Sequence, residues 1–503
     1  MIETTPEDYE YLLKSFNIGA STAENDPLLE SAQIETTEFH DLYFADRIDI
    51  VRGIKGSGKT ALYKVLYRIR EMAFDQKRIL MSFGIETEGV PLFKNYGKIF
   101  DEFSEDDFEE FWLSYFLYLT FQAINEKREQ LPEADAAVRA ILDQLSEEER
   151  ALLGKQLSIR ERLARWMRHI RERKQIRDVE ASLKPDKIGE ALIFYPALKF
   201  NFGDRTDETH SMEPLSIRVR DKVVNLANSA KIRIWILLDR LDEVFLRRSD
   251  TECKGLRGLL RAAYRFSNPS LRPKLFVRDD IFDTLAAGGF TALTHIADRS
   301  SSIMSWSDEK LLLLVAKRLS NMPRFASHFH FRPEVIDGNR EYQAEVFYQI
   351  FPKRIGRQAT FEWLLSQLRD GNGQVTPRDV IDTVNVARTK QVMLFETKKE
   401  VARHFIEEEA LRTALDEISH DKRDKFLFAE FPHLEDDIRL FQGGYSNYDS
   451  KTLESLLGSE YKKKVDRLRA IGFLEFDKKK SLWKVPVIWR KGLEITRGSA
   501  RVT

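Results

Sequence analysis

One octapeptide constrains this chain more than any other feature: Gly53-Ile54-Lys55-Gly56-Ser57-Gly58-Lys59-Thr60, which satisfies the pattern G-x-x-x-x-G-K-[ST]. The run before it, Arg47 to Arg52, reads as a short strand, and the run after it, Ala61 to Met72, sets Leu62, Val65, Leu66 and Ile69 at helical spacing. Strand, glycine loop and helix is the order in which a backbone builds a cradle for polyphosphate. The glycines permit close approach, and the helix start presents unpaired N–H groups and the positive end of its dipole. Lys59 then reaches the β- and γ-phosphates, and the Thr60 hydroxyl is placed for Mg²⁺. Gly53 through Ala61 are therefore the expected nucleotide contacts. A plain glycine turn before an ordinary helix is the alternative, and the fit of both flanks argues against it.

A second anchor lies downstream. Ile232 to Asp239 is an apolar strand ending in a carboxylate, followed by Arg240-Leu241-Asp242-Glu243. This Walker B form suits a strand adjacent to the phosphate loop. Asp239 would hold the magnesium shell opposite Thr60, and Asp242 or Glu243, with Glu243 favoured, would orient or deprotonate the attacking water. Pro273 to Asp280 reads as a further strand carrying Arg278 at its tip, where a guanidinium senses a γ-phosphate through a charge-assisted hydrogen bond. A surface ion pair with Asp279 or Asp280 is the competing reading. In Val375-Thr376-Pro377-Arg378-Asp379, Thr376 caps a helix and Pro377 fills its first turn. Arg378 then opposes the helix dipole, which suggests a phosphate or carboxylate partner, the alternative being an exposed arginine.

The remaining sequence bounds the answer. At 503 residues the chain exceeds one core, so two to four domains are expected. The balance of 80 Lys+Arg against 81 Asp+Glu, net charge -1, argues against a wholesale nucleic-acid coat but leaves room for a local basic patch. One cysteine, Cys253, allows neither an internal disulfide nor a cysteine-built zinc site. The acidic N-terminus is no signal peptide, and the apolar run Phe111 to Ile124 is too short to span a bilayer. A cytoplasmic protein without membrane contact is expected.

Residues 1 to 40 read as polar and irregular, with Phe39, Leu42, Tyr43 and Phe44 packing as the chain enters the first strand. The aromatic helix 106–128 reads as core, because no basic residues interleave Phe111, Trp112, Tyr115, Phe116, Tyr118 and Phe121. A helical insertion at 131–190 carries Arg160, Arg162, Arg165, Arg168, Arg171 and Arg173, either a surface for nucleic acid or an acidic partner, or a solvated helix. Ala191 to Asn201, broken by Pro196, suggests an edge strand or a hairpin added to the sheet. Near the C-terminus, a helix at 449–457, a basic helix at 460–470 and strands at 472–476 and 482–487 around Lys478, Lys479 and Lys480 form the pattern of a winged helix. It would either touch DNA or dock as a structural module.

This order of motifs resembles the STAND and AAA+ branches of the P-loop ATPases, including NACHT-like, KAP-like and Orc/Cdc6-like proteins. The Asp239-Arg240-Leu241-Asp242-Glu243 form looks most like the STAND and KAP side. The resemblance implies an α/β P-loop NTPase with a central parallel sheet, followed by a helical lid and a C-terminal winged helix. Its boundaries would be a lead-in at 1–40, an ATPase core at 41–306, a lid at 307–430 and a winged helix at 431–503. It implies ATP and Mg²⁺ as cofactors, Arg278 as first sensor, and Pro377 and Arg378 as a lid motif touching nucleotide. It further implies an ATP-hydrolysing switch, bacterial, acting as a homo-oligomer or with a partner effector protein, in the setting of anti-phage defence. A DNA-stimulated ATPase and an ATP-binding scaffold without turnover are the alternatives. Arg257, Arg261, Arg265 and Arg299 stand as possible arginine fingers.

Overall fold

The computed structural model describes residues 5–84, 100, 103–131, 136, 215–241, 250–287, 298–458 and 460–501. Asp242, Glu243, the arginine row at 160–173 and the strand expected at 191–201 lie outside them.

Five parallel strands form the central sheet: β1 (Ile50–Gly53), β2 (Ile79–Gly84), β3 (Arg233–Leu238), β4 (Leu271–Arg278) and β5 (Ser300–Met304), in the order β2-β3-β4-β1-β5. β2, β3 and the second half of β4 are dominated by buried aliphatic and aromatic residues, as the centre of a sheet covered on both faces requires, whereas β5 is serine-rich and partly exposed. The fold is thus α/β with a central parallel sheet. The sequence suggested that the strand leading into Asp239 is adjacent to the one leading into the glycine loop; it is not, because β4 lies between β1 and β3. The register pairs Gly53 with Arg278, so it is Arg278 that sits level with the start of the glycine loop.

The chain divides into two compact units, one of Met1–Arg68, Leu275–Ala287 and Arg299–Thr503, the other of Ile69–Lys274 and Gly288–Asp298. In the second unit, β2 and β3 pair in register from Ile79–Arg233 to Gly84–Leu238. The aromatic helix Glu105–Glu126 opens with a capping box between Ser104 and Asp107 and packs on the helix Asp250–Phe266. Phe111, Trp112, Tyr115, Phe116 and Phe121 are buried, Trp112 Nε1 donates to Gly255 O at 2.9 Å, and Gly258 lets Phe108 approach the helix backbone closely. These five are core, as expected, whereas Tyr118 is only half-buried.

The first unit holds one large core that runs from Tyr9 to Ile495. Its first element is a finding the sequence did not suggest: α1 (Pro6–Ser15) is a capped helix that buries Tyr9, Leu12 and Leu13. Polar residues outnumber apolar ones there, so the narrow buried face escapes a reading by composition. Tyr9 Oη donates to Phe405 O at 2.9 Å, and burial raises its pKa well above the usual tyrosine value, outweighing its hydrogen bond with Gln391. Farther on, Asp26 and Arg318 form a buried ion pair at 2.5 Å, with Arg318 also donating to Ile18 O at 2.6 Å. Phe39, Leu42 and Tyr43 are buried as expected, whereas Phe44 is 52% exposed.

After β5, α2 (Asp308–Ser320) starts at the Ser307 cap, and α3 (Pro377–Lys398) and α4 (Glu408–Lys422) pack together. α4 passes into a π-helical turn, Arg423–Phe428. The C-terminal region places α5 (Ser450–Leu457) and α6 (Tyr461–Ala470) before a hairpin of β6 (Glu475–Asp477) and β7 (Leu482–Lys484). Helix, helix and hairpin therefore follow in the expected order. Strands Tyr445–Tyr448 and Thr496–Ser499 extend the hairpin to a four-stranded sheet that the sequence did not announce. Among the described residues no helix is long and apolar enough to cross a membrane.

Candidate functional site

The glycine loop leaves β1 at Gly53 and enters the helix Lys59–Lys77 at Lys59. Gly56 and Gly58 lie at φ +84° and +100°, backbone that residues with a Cβ rarely adopt. The turn closes with Ser57 N donating to Ile54 O at 3.2 Å, and Leu62 N to Gly58 O at 2.9 Å begins the helical ladder. Lys59 Nζ folds back on the loop and donates to Gly53 O at 2.7 Å and Ile54 O at 3.0 Å. Ser57 Oγ is buried with no hydrogen-bond partner. Trp306 Nε1 donates to Ser57 O at 2.8 Å, which ties the loop to the residue just past β5.

The Thr376-Pro377-Arg378 motif reaches the loop within the same unit. Thr376 caps α3 through a capping box with Asp379, and Pro377 fills its first turn, as the sequence suggested. A Cβ on Gly56 would meet Arg378 Cβ at 3.1 Å and Thr376 Oγ1 at 3.2 Å, so the start of α3 lies directly against the loop. Arg378 Nε donates weakly to Ser21 O at 3.4 Å, and Ile18 N and Gly19 O bond with the Asn385 side chain of α3. The N-terminal segment, the start of α3 and the glycine loop thus meet at one place.

Arg278 is 8% exposed and is not a surface residue. It pairs with Asp280, one of the two partners considered from sequence, through Nη2–Oδ2 at 2.9 Å and Nε–Oδ1 at 3.1 Å; Asp279 pairs instead with Arg52. Its second carboxylate partner is Glu430, bonded through Nη1. Burial alone would lower the Arg278 pKa, but the charges and hydrogen bonds of Asp280 and Glu430 outweigh it and raise it. The other oxygen of Glu430 accepts from Lys55 Nζ of the loop. Burial would raise the Glu430 carboxyl, yet Lys55 and Arg278 together hold it below its usual range. Glu430 has no motif around it and lies 375 positions from Lys55, so no sequence signal pointed to it.

In the second unit, Asp239 is buried just past β3 and is followed by Arg240 at φ +56°. Such strained backbone concentrates at functional sites. The arginines considered as fingers are engaged locally. In that unit Arg257 pairs with Glu105, Arg261 with Asp106 and Glu109, and Arg265 with Glu109. In the first unit, Arg299 pairs with Asp49.

No known family profile matches the chain. In sequence it is 24% identical over 315 residues to the putative transposon gamma-delta 80.3 kDa protein of Escherichia coli K12; the match covers 61% of this chain and 40% of that protein. In structure it is similar to the Aeropyrum pernix ORC2 protein, solved in ADPNP and ADP complexes, at TM-score 0.42 and 11% identity over 91% of each chain. A likeness at that level does not define the fold, which rests on the strand order and the loop geometry described above.

Proposed function

We propose that this chain is an ATP-binding and ATP-hydrolysing molecular switch. The observation that carries the reading is the glycine loop itself: two left-handed glycines lead into a helix N-terminus, with Lys59 on the loop and Arg278 in register with Gly53. The helix N-terminus supplies N–H donors for phosphate oxygens. Lys59 exchanges Gly53 O and Ile54 O for the β- and γ-phosphates. Arg278 and Arg378 report the γ-phosphate to the lid helix, and Glu243, or Asp242 beside it, acts on the attacking water.

Among the described residues no group of three His, Cys, Asp or Glu side chains could hold a metal. Mg²⁺ binds through one or two protein oxygens together with substrate phosphates. The Thr60 hydroxyl and the Asp239 carboxylate are donors of the right hardness, and the buried, unpartnered Ser57 Oγ offers the cradle a further polar group. When bound, the ion neutralises charge on the phosphates.

The test is ATP binding and turnover by the full chain. Lys59→Ala is expected to lose binding, and Glu243→Gln to bind ATP but not turn it over. Binding untouched by Lys59→Ala refutes the site, and unchanged turnover in Glu243→Gln refutes the base. The finer expectation, a STAND-like switch that drives a partner effector in bacterial defence, rests on the motif resemblance.

A second reading, DNA binding, is favoured by one observation. Lys462, Lys463, Arg467, Arg469 and Lys478 to Lys480 are exposed on α6 and on the tip of the β6–β7 hairpin. Duplex DNA should then stimulate turnover in a salt-sensitive way. Neutralising Lys478, Lys479 and Lys480 should remove the stimulation and leave basal turnover intact.

A further inference from the structure

Glu430 does more than fill space. Its two oxygens are divided between Lys55 of the glycine loop and Arg278, the register partner of Gly53. A carboxylate therefore stands where two cations of the candidate site converge, the charge pattern that a terminal phosphate would satisfy. Glu430 lies two residues past the π-helical turn Arg423–Phe428, a local geometry found frequently at functional sites. Just before that turn, Lys422 donates to both oxygens of Asp379 at 2.9 Å. Asp379 belongs to the capping box of α3, whose Thr376 and Arg378 lie against Gly56. Two polar clusters of the first unit, Glu430 with Lys55 and Arg278, and Lys422 with the Asp379 cap, thus flank the same π-helical turn, and the capped helix start lies against the loop.

We propose that Glu430 is a counter-ion latch that takes the place of a nucleotide γ-phosphate between Lys55 and Arg278. The inference rests on the nucleotide reading above. A nucleoside triphosphate and Glu430 compete for the same two cations, so triphosphate binding must release the latch. A nucleoside diphosphate ends one phosphate short and leaves it closed. Since a ligand shifts an equilibrium only by its differential affinity for the two states, the latch lowers triphosphate affinity and spares diphosphate affinity. Its release frees the π-turn and, through Lys422 and Asp379, loosens the start of α3. The presence of the third phosphate is thereby read out as movement of the lid.

The test is the dissociation constant of a non-hydrolysable ATP analogue and of ADP, each with Mg²⁺, for the full-length wild type and the variants Glu430→Gln, Glu430→Asp and Lys59→Ala. Glu430→Gln should tighten the ATP analogue by about tenfold and move ADP by less than about twofold, the size of a typical coupling between sites. Glu430→Asp keeps the charge but shortens the reach by one methylene, so it should fall between wild type and Gln; it carries the test if Gln fails to fold. Equal shifts for both nucleotides, no shift, or weaker ATP-analogue binding would overturn the latch. If wild-type binding depends on Lys59 while Glu430→Gln changes nothing, the latch alone is lost. If wild type binds neither nucleotide, or binds them regardless of Lys59, the nucleotide reading fails and the latch falls with it.

Discussion

Replacing Gly56 and Gly58 by alanine, one at a time, separates backbone strain from lid packing in the loop. Both glycines sit at positive φ, +84° and +100°, so a Cβ at either position costs about 1–2 kcal/mol in a left-handed conformation. Restricting the unfolded chain offsets about 0.4–1 kcal/mol of that at both sites. The surroundings then differ. A Cβ on Gly58 would meet only Met304 Cε and Trp306 Cζ2, each at 3.7 Å, which is ordinary contact. A Cβ on Gly56 would press on Arg378 Cβ at 3.1 Å and Thr376 Oγ1 at 3.2 Å, and both belong to a capped helix start that cannot yield freely. Overpacking of this kind adds about 1 kcal/mol. Gly58→Ala should therefore cost about 1 kcal/mol and Gly56→Ala about 2 kcal/mol. Urea unfolding followed by tryptophan emission measures both, taking the transition in which Trp306, bonded to Ser57 O, changes its environment. A Gly58→Ala cost equal to or above that of Gly56→Ala would refute the claim that the lid start rests on the loop.

Two further outcomes follow from the buried polar groups of the first unit. Arg318→Met should destabilise by about 3 kcal/mol in the same denaturation assay, because it leaves the Asp26 carboxylate, whose side chain is 2% exposed, without its cation. A cost below about 1 kcal/mol would show that Ala20 N and Leu28 N, both 3.1 Å from Asp26 Oδ1, suffice to hold it. Asp370 is a pH probe. Burial raises its carboxyl above the usual 3.8, so the folded state disfavours the ionised form and gains stability as pH falls through the raised value. In Asp370→Asn the amide oxygen still accepts from Asn372 N and Gln374 N, so the variant should be more stable than wild type at about pH 7 and lose that advantage near the unfolded-state pKa. Thermal melts across that range decide it, and destabilisation at neutral pH would contradict the sign.

The features that were legible in the sequence are local ones. A strand, a glycine loop and a helix start follow one another within about twenty residues, and their geometry depends on residue type at each step. The capping box at Thr376 and Asp379 and the core role of Phe111, Trp112 and Phe116 were equally readable, since caps and apolar helix faces are set by near neighbours. The α1 helix was missed because three buried residues, Tyr9, Leu12 and Leu13, give too faint a period against a polar background. The place of β4 between β1 and β3 was missed because strand order is a matter of crossover connections, and strand composition does not encode it.

By itself, then, the chain's residue order determined that a glycine loop of the G-x-x-x-x-G-K-[ST] pattern stands between a strand and a helix, which lysine and hydroxyl it presents, and that strands and helices would layer into an α/β sheet. Only the tertiary structure decided what surrounds that loop. It set Arg278 level with Gly53, laid Thr376 and Arg378 on Gly56, and brought Glu430 between Lys55 and Arg278. The physical reason is distance along the chain. Backbone conformation is chosen by steric and hydrogen-bonding rules acting over a few residues. A carboxylate 375 positions away meets its lysine only after strand pairing and core burial have brought the segments together.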